Sequence, residues 1–275
     1  MRVLITGHTG FIGQNLVKYI EDHTDWVIGT YNYGDMFPLV SEHDWIIHLG
    51  AISSTTEKDI DKLLTQNTEF SIKLYEDCRR YGTNLQYASS ASVYGFGTDF
   101  TEDSQLAPVN AYAWSKYLFD RHVSKRSPGI RVHGFRYFNV YGENESHKGS
   151  QASPVTKFSE QAKDTGKITL FEGSNDYIRD FICVEDVCRI HVDMIKKNIE
   201  SGIYNVGTGK PYSFQQVADI ISKKYKAEFN YIPIPENIKQ SYQKFTCSDN
   251  TKIESVLGKQ KYITIEEFLE YKDLS

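Results

Sequence analysis

Tyr112 and Lys116 stand four residues apart in Tyr112-Ala-Trp-Ser-Lys116. On a helix this spacing puts both side chains on one face, one turn from each other. A lysine ammonium beside a phenol favours the phenolate, so the pair predicts a Tyr112 pKa drawn below the ordinary value of about 10. Such a phenol moves a proton to or from a substrate hydroxyl. The pair alone is weak evidence, because an exposed Lys and a half-buried Tyr at this spacing are common. The helix itself is locally encoded. Pro108 blocks helix upstream, Asn110 can cap, and an amphipathic run continues to about Arg126.

What stands around the pair strengthens it. Val3-Leu-Ile5 is a short apolar strand, followed by Thr6-Gly-His-Thr-Gly-Phe-Ile-Gly13 and an amphipathic helix to about His23. Gly7 permits a tight turn, Gly10 lets backbone approach a pyrophosphate, and Gly13 lets helix pack close to strand. With Phe11 and Ile12, they present free N–H groups and the positive end of a helix dipole to phosphate. A bare structural turn is the bland alternative; the position directly after a first strand argues against it. Strand two (26–30) ends at Thr30, where an acid for the NAD ribose is usual, and Asp35 lies beyond. No Lys or Arg occurs between Lys18 and Lys58 to meet a 2′-phosphate. Residues 32–43 are too few for a helix and strand before the next strand, 44–49, so the sheet has lost an edge element.

Gly50 and Ala51 close that strand, and the Ser53-Ser-Thr-Thr-Glu57 run opens a helix expected to reach about Tyr81, with Asn67 in a largely polar turn, an ordinary exposed residue in the bland reading. The next strand, 85–89, runs into Ser89-Ser-Ala-Ser-Val-Tyr-Gly95. Ligands of parallel sheets bind beyond C-terminal strand ends, so Ser90 can converge with Tyr112 and Lys116 on one oxygen. Further on, Lys148 sits in a polar loop, and Arg179 among aromatic residues offers a planar fork suited to a diphosphate. A structural pair between Arg179 and Asp180 is the competing reading. Ser213-Phe-Gln-Gln216 is a capping box opening a late helix.

Size and charge exclude other classes. The 275 residues can bury a sizeable core, and the net charge of −5 leaves no basic footprint for nucleic acid. No apolar run approaches the ~18 residues of a membrane span. Met1 leads straight into a strand, leaving no room for a signal peptide. Cys78, Cys183, Cys188 and Cys247 have neither CxxC spacing nor histidine partners, so no metal site is expected and the thiols read as reduced, in the cytoplasm.

The glycine turn, Ser90, Tyr112-x-x-x-Lys116 and Arg136-Tyr-Phe-Asn-Val-Tyr-Gly142 together resemble the extended short-chain dehydrogenase/reductase superfamily of nucleotide-sugar enzymes. The resemblance implies that Tyr112 is the general acid/base, that Lys116 tunes it and holds the nicotinamide ribose, and that Ser90 bonds the reacting oxygen. Dehydratases of that superfamily carry an Asp-Glu pair after the site serine or threonine. Here Ala91 and Ser92 stand there, which disfavours elimination.

Within the superfamily, Ser53-Ser-Thr-Thr-Glu57, His147-Lys-Gly-Ser150, Leu170-Phe-Glu-Gly-Ser174, Arg179-Asp-Phe181 and Tyr242 with Phe245 resemble ADP-glyceromanno-heptose 6-epimerase. The resemblance makes Lys148 a second acid/base. It implies substrate contacts at Ser90, Asn139, Lys148, Ser150, Lys157, Phe171, Arg179 and Tyr242. Cofactor contacts are implied at Gly7, Gly10, Phe11, Ile12, Gly13, Asn32, Gly50, Ala51, Asn67, Tyr112 and Lys116. The resemblance implies NADP, with NAD the alternative, held tightly and regenerated each turnover. It implies a nucleotide-diphospho-heptose as partner, and a homo-oligomer is expected. Two bases make chemical sense. The hydrogen on a secondary carbinol carbon is not acidic, so inversion needs transient oxidation to a ketone and hydride return on the other face, with the oxygen then elsewhere. Three departures stand out: the short 32–43 segment, the missing acid after strand two, and Lys157 where that family commonly has histidine.

The expected architecture is α/β: a Rossmann-type doubly wound parallel sheet with a smaller C-terminal α/β substrate lobe. Residues 1–142 with 175–209 form the dinucleotide-binding part, and 143–174 with 210–275 the substrate lobe.

Overall fold

Val3, Leu4 and Ile5 are buried on both faces of the first strand, as a central strand of a parallel sheet demands. The computed structural model describes residues 1–125, 129–235 and 243–271; Tyr242 lies outside them. Six strands, β1 (Arg2–Thr6), β2 (Val27–Tyr31), β3 (Trp45–His48), β4 (Asn84–Ser90), β5 (Val132–Tyr137) and Gly202–Val206, form the main sheet. Its order is β2-β1-β3-β4-β5 and then Gly202–Val206, and every pairing is parallel. Helix α1 (Phe11–His23) and the helix Val184–Lys196 cover one face, meeting Val3, Ile5 and Ile47. The other face meets a helical segment that runs α2 (Ile60–Leu63), a π-helical turn (Leu64–Glu69) and α3 (Phe70–Tyr81), together with α4 (Ala111–Ser124). The fold is therefore Rossmann-type.

Local chemistry sets the ends of these helices. The Asn110 side chain accepts from Ala113 N–H at 2.8 Å and caps α4. The segment carrying α2 starts later than the sequence suggests. Ser53–Glu57 is loop, and Asp59 caps α2 by accepting from Lys62 N–H at 2.9 Å. Asn67 is not in an exposed turn but is 1% exposed. Its amide accepts from Ile52 N–H (2.8 Å) and donates to Ile52 C=O (2.9 Å), so the loop's unpaired backbone draws this polar side chain inward.

Residues 32–43 hold one hydrogen-bonded turn and a short 3₁₀ helix, Val40–Glu42, leaving β2 at the sheet edge. Beyond β5 the chain builds β6 (Asn139–Tyr141), α5 (Pro154–Thr165), β7 (Lys167–Phe171), β8 (Ile178–Cys183), α6 (Val184–Lys196), β9 (Gly202–Val206), β10 (Pro211–Ser213), α7 (Phe214–Tyr225) and β11 (Glu228–Ile232). Ser213 and Gln216 form the expected capping box on α7. Strand β9 returns to the main sheet. Strand β8 instead joins β6 and β10 in a three-stranded sheet, and β7 pairs with β11. Val155, Phe158, Ile168, Phe181, Val217 and Phe268 form the separate core of this part.

Candidate active site

The glycine turn closes beyond the end of β1. Gly7 has φ +72°, and a Cβ there would meet Gly50 Cα at 2.5 Å. A Cβ on Gly13 would stand 2.2 Å from Gly7 O, so α1 packs onto the turn only because that position is bare. The first intrahelical bond is Gln14 N–H to Gly10 C=O, 2.9 Å, which leaves the N–H groups of Phe11, Ile12 and Gly13 as helix-terminal donors. Gly7, Gly10, Phe11, Ile12 and Gly13 line a cavity of about 410 Å³ together with Ala51, Ser90, Tyr112, Lys116, Asn139, Glu145 and Lys148. This cradle of bare backbone, helix N-terminus and ammonium groups fits a dinucleotide: the turn would hold the pyrophosphate and Lys116 would reach the ribose beside the nicotinamide.

Lys116 is buried, and its ammonium donates to Ala88 C=O at 2.8 Å, tying α4 to the end of β4. Burial pulls its pKa down to about 8, against the pull of Asp120 one helical turn away. Asp120 in turn holds Arg136, Nε to Oδ2 at 3.1 Å, under the strand ends. The sequence predicts a lowered Tyr112 pKa; the opposite holds here. Burial raises it, and the hydrogen bond with Ser90 only partly offsets this. The physical reason is burial: desolvation of the phenolate outweighs the Ser90 hydrogen bond, and Lys116, whose ammonium donates to Ala88 C=O, is not among the groups that shift the phenol. Ser90 Oγ also accepts from Ser92, N–H at 3.2 Å and O–H at 2.9 Å.

A second cavity, about 460 Å³, shares Thr55, Ser90, Tyr137, Phe138, Asn139 and Pro154 with the first. Lys157 and Arg179 also line it, and no acidic residue does among those described. The Arg179 guanidinium lies over Phe214, 5.5 Å from the ring centre, and donates to the carbonyls of Ile178 and Gln243. It is not paired with Asp180, which accepts instead from Thr208, Gly209 and Ser248. Burial lowers the Lys157 pKa, and Glu145 opposes that.

Other expected residues fall elsewhere. Asn67 is behind the site: it donates to Ser115 Oγ (3.1 Å), which donates to Tyr112 C=O (2.7 Å). Gly50 backs the glycine turn without joining either cavity wall. Asn32 accepts from Thr9 Oγ1 at 3.2 Å beyond β2. Ser150 is exposed and Phe171 half-buried, both off the two cavity walls. The sequence reading missed Thr55, Tyr137, Phe138 and Glu145. Tyr137 and Phe138 were visible within the Arg136-to-Gly142 motif. Glu145 carries no local signal beyond standing three residues before Lys148.

The model of the NAD dependent epimerase/dehydratase family matches residues 3–207. The chain belongs to that family. Among solved structures, it is similar to the Helicobacter pylori ADP-L-glycero-D-manno-heptose-6-epimerase, with 25% identity, a TM-score of 0.86, and 98% of this chain and 94% of that one covered. It has the same fold as UDP-N-acetylglucosamine 4-epimerase from Methanobrevibacter ruminantium M1, in complex with UDP-N-acetylmuramic acid (20% identity, TM-score 0.86, 98% and 97% covered). It also shares the fold of Pseudomonas aeruginosa RMD complexed with NADPH (22%, 0.82, 98% and 96%). Among the described residues, no helix is long and apolar enough to cross a membrane, and no group of His, Cys, Asp and Glu could hold a metal ion.

Proposed function

We propose that this protein inverts C6 of a nucleotide-activated heptose, converting ADP-D-glycero-D-manno-heptose to ADP-L-glycero-D-manno-heptose. The observation that carries this reading is that Tyr112 and Lys148, from two different parts of the chain, line one cavity. A bound nicotinamide would supply the reversible removal of hydride, through a transient keto sugar. The protein's own groups do the rest. Ser90 holds the reacting oxygen, and Tyr112, bonded to Ser90, exchanges its proton on one side. Lys148 serves the oxygen when the other face is presented, since an inverted carbinol carries its oxygen out of Tyr112's reach. Lys157 and Arg179, in a cavity with no acid among its described lining residues, suit the diphosphate. Ala91 and Ser92 offer no acid/base pair for elimination.

Beyond β2, Asp35 accepts from Asn32 N–H at 2.9 Å and lines neither cavity, so it favours neither NADP nor the alternative NAD. A second reading, another nucleotide-sugar epimerase or a reductase on this scaffold, is favoured by Lys157, which stands where the resembled family has histidine.

The test is incubation with ADP-D-glycero-D-manno-heptose, following the heptose C6 proton by NMR. Conversion to a mixture of C6 epimers without added cofactor is expected. No conversion by folded, dinucleotide-loaded protein, with GDP- and CDP-heptoses equally inert, would overturn 6-epimerisation. Stoichiometric consumption of NAD(P)H would establish the reductase.

A further inference from the structure

Glu145 is a buried carboxylate on the wall of the first cavity, with a side chain 0% exposed. A charge taken out of water is costly unless it is paired and hydrogen-bonded. Glu145 is both. Oε1 accepts from Ser153 N–H at 2.7 Å; Oε2 accepts from Ser153 Oγ at 2.8 Å and Thr156 Oγ1 at 2.6 Å. Ser153 is the N-cap of α5, so the carboxylate also sits at the positive end of a twelve-residue helix. These bonds fix its position to the lobe.

The cation facing it is Lys148, Nζ to Oε1 at 3.7 Å, one short 3₁₀ turn along the chain. That distance is a charge contact and not a hydrogen bond. The same ammonium lies 5.3 Å from the ring centre of Phe11, the first residue of α1. Lys148 is thus tethered between the lobe and the glycine turn while keeping its donors available. Lys157 also feels the Glu145 charge and repels Lys148. His147 is the other titratable group of this loop on the cavity wall, and Tyr112 and Lys116 face it from α4.

We infer that Glu145 is a positioning residue for Lys148: an immobile carboxylate that holds the lysine ammonium at the mouth of the dinucleotide cavity and lets it swing to the sugar oxygen. This rests on the proposed role of Lys148 as second acid/base, so the test separates the two.

The first arm needs no substrate. An amine-reactive succinimidyl ester is reacted with dinucleotide-loaded protein, and Lys148 modification is followed by peptide mass spectrometry. Glu145→Gln keeps the shape and removes the charge. The rate at Lys148 is expected to change at least threefold, with exposed lysines such as Lys58 unaffected and Glu145→Asp returning towards the parent. The second arm uses the heptose assay. Glu145→Gln is expected to lower kcat at least tenfold, to leave KM within twofold, and to add nothing in a Lys148→Ala background. An unchanged Lys148 rate, or a further loss on top of Lys148→Ala, overturns the positioning role while the second-base reading stands. A Lys148→Ala protein with parental kcat overturns both. If Glu145→Gln does not fold, Glu145→Asp carries the same arms, with smaller effects in the same directions.

Discussion

The half built on the six-stranded sheet and the smaller C-terminal lobe are built on different terms. In the first, position is set by backbone: bare glycines, a helix terminus, and strands buried on both faces. Three of its histidines, His48, His133 and His191, are sealed in. His48 and His191 are fully buried, and burial lowers both pKa values to about 3, with Lys116 adding to the effect on His48 and His133 on His191. In the lobe, position is set by side-chain charge: Glu145, Lys148, Lys157 and Arg179 at the cavity edges. Backbone placement tolerates almost no substitution. Charge placement can be retuned one residue at a time.

The contrast is open to attack, beginning where the effect is largest. Tyr112→Phe should lower turnover by about 10²–10⁴-fold, or roughly 3–5 kcal/mol, with dinucleotide content unchanged. Loss of bound dinucleotide in that variant would mean the phenol is part of the cradle rather than of the chemistry. Acid comes next. A histidine whose folded pKa lies below its unfolded value contributes stability above the unfolded value, and that stability drains away as pH falls towards the folded one. For His48 the window runs from about 6.5 down to about 3. By pH 4 the loss from this residue is about 3 kcal/mol. Urea midpoints should therefore fall steeply below pH 6.5, and a His191→Gln protein should show a shallower slope. Parallel slopes would show that the buried histidines do not control acid sensitivity.

Gly13→Ala is a third probe. Alanine is ordinarily the better helix former, but here its methyl would overlap Gly7 O. A destabilisation of about 2 kcal/mol with release of the dinucleotide is expected. Neutral behaviour in urea melts and nucleotide-release assays would remove the argument from bare backbone. The smallest effect belongs to the lobe. Lys157→His should change the nucleotide-sugar KM only about threefold, under about 1 kcal/mol. Since the Lys157 pKa is lowered, KM in the parent should begin to rise below pH 10.5 as the cation is lost. A pH-independent KM up to that point would show that Lys157 does not meet the substrate.

The same division explains what could be read from sequence. The glycine turn, the Asn110 cap and the Ser213–Gln216 box were legible because each is a local backbone requirement met within a few residues. The burial of Asn67 was not legible because its partners, Ile52 and Ser115, are 15 and 48 residues away. Glu145 went unseen because its burial depends on donors from Ser153 and Thr156 across a turn. The Tyr112 pKa was misjudged because spacing along a helix says nothing of how deeply the phenol is buried, and burial sets the direction of its shift. The helix after Ser53 was started too early because a serine-threonine run resembles a cap, whereas Asp59 is the side chain that closes onto backbone.

One buried thread joins the two ends of the sheet-built half. Gly50 N–H donates to Thr6 Oγ1 at 3.2 Å, and Thr6 Oγ1 meets His48 Nδ1 at 2.6 Å. His48 Nε2 meets Ser71 Oγ at 2.9 Å, and Ser71 donates to Asn67 C=O. Because Ser71 spends its only proton on Asn67, the proton on His48 must be at Nε2; neutral His48 then accepts from Thr6 at Nδ1. Asn67 passes the thread through Ser115 to the carbonyl of Tyr112. Only one arrangement of protons satisfies all of these groups. A thread with a single arrangement has direction and no slack. The loop beneath the glycine turn and the helix that carries the phenol are in that sense one part.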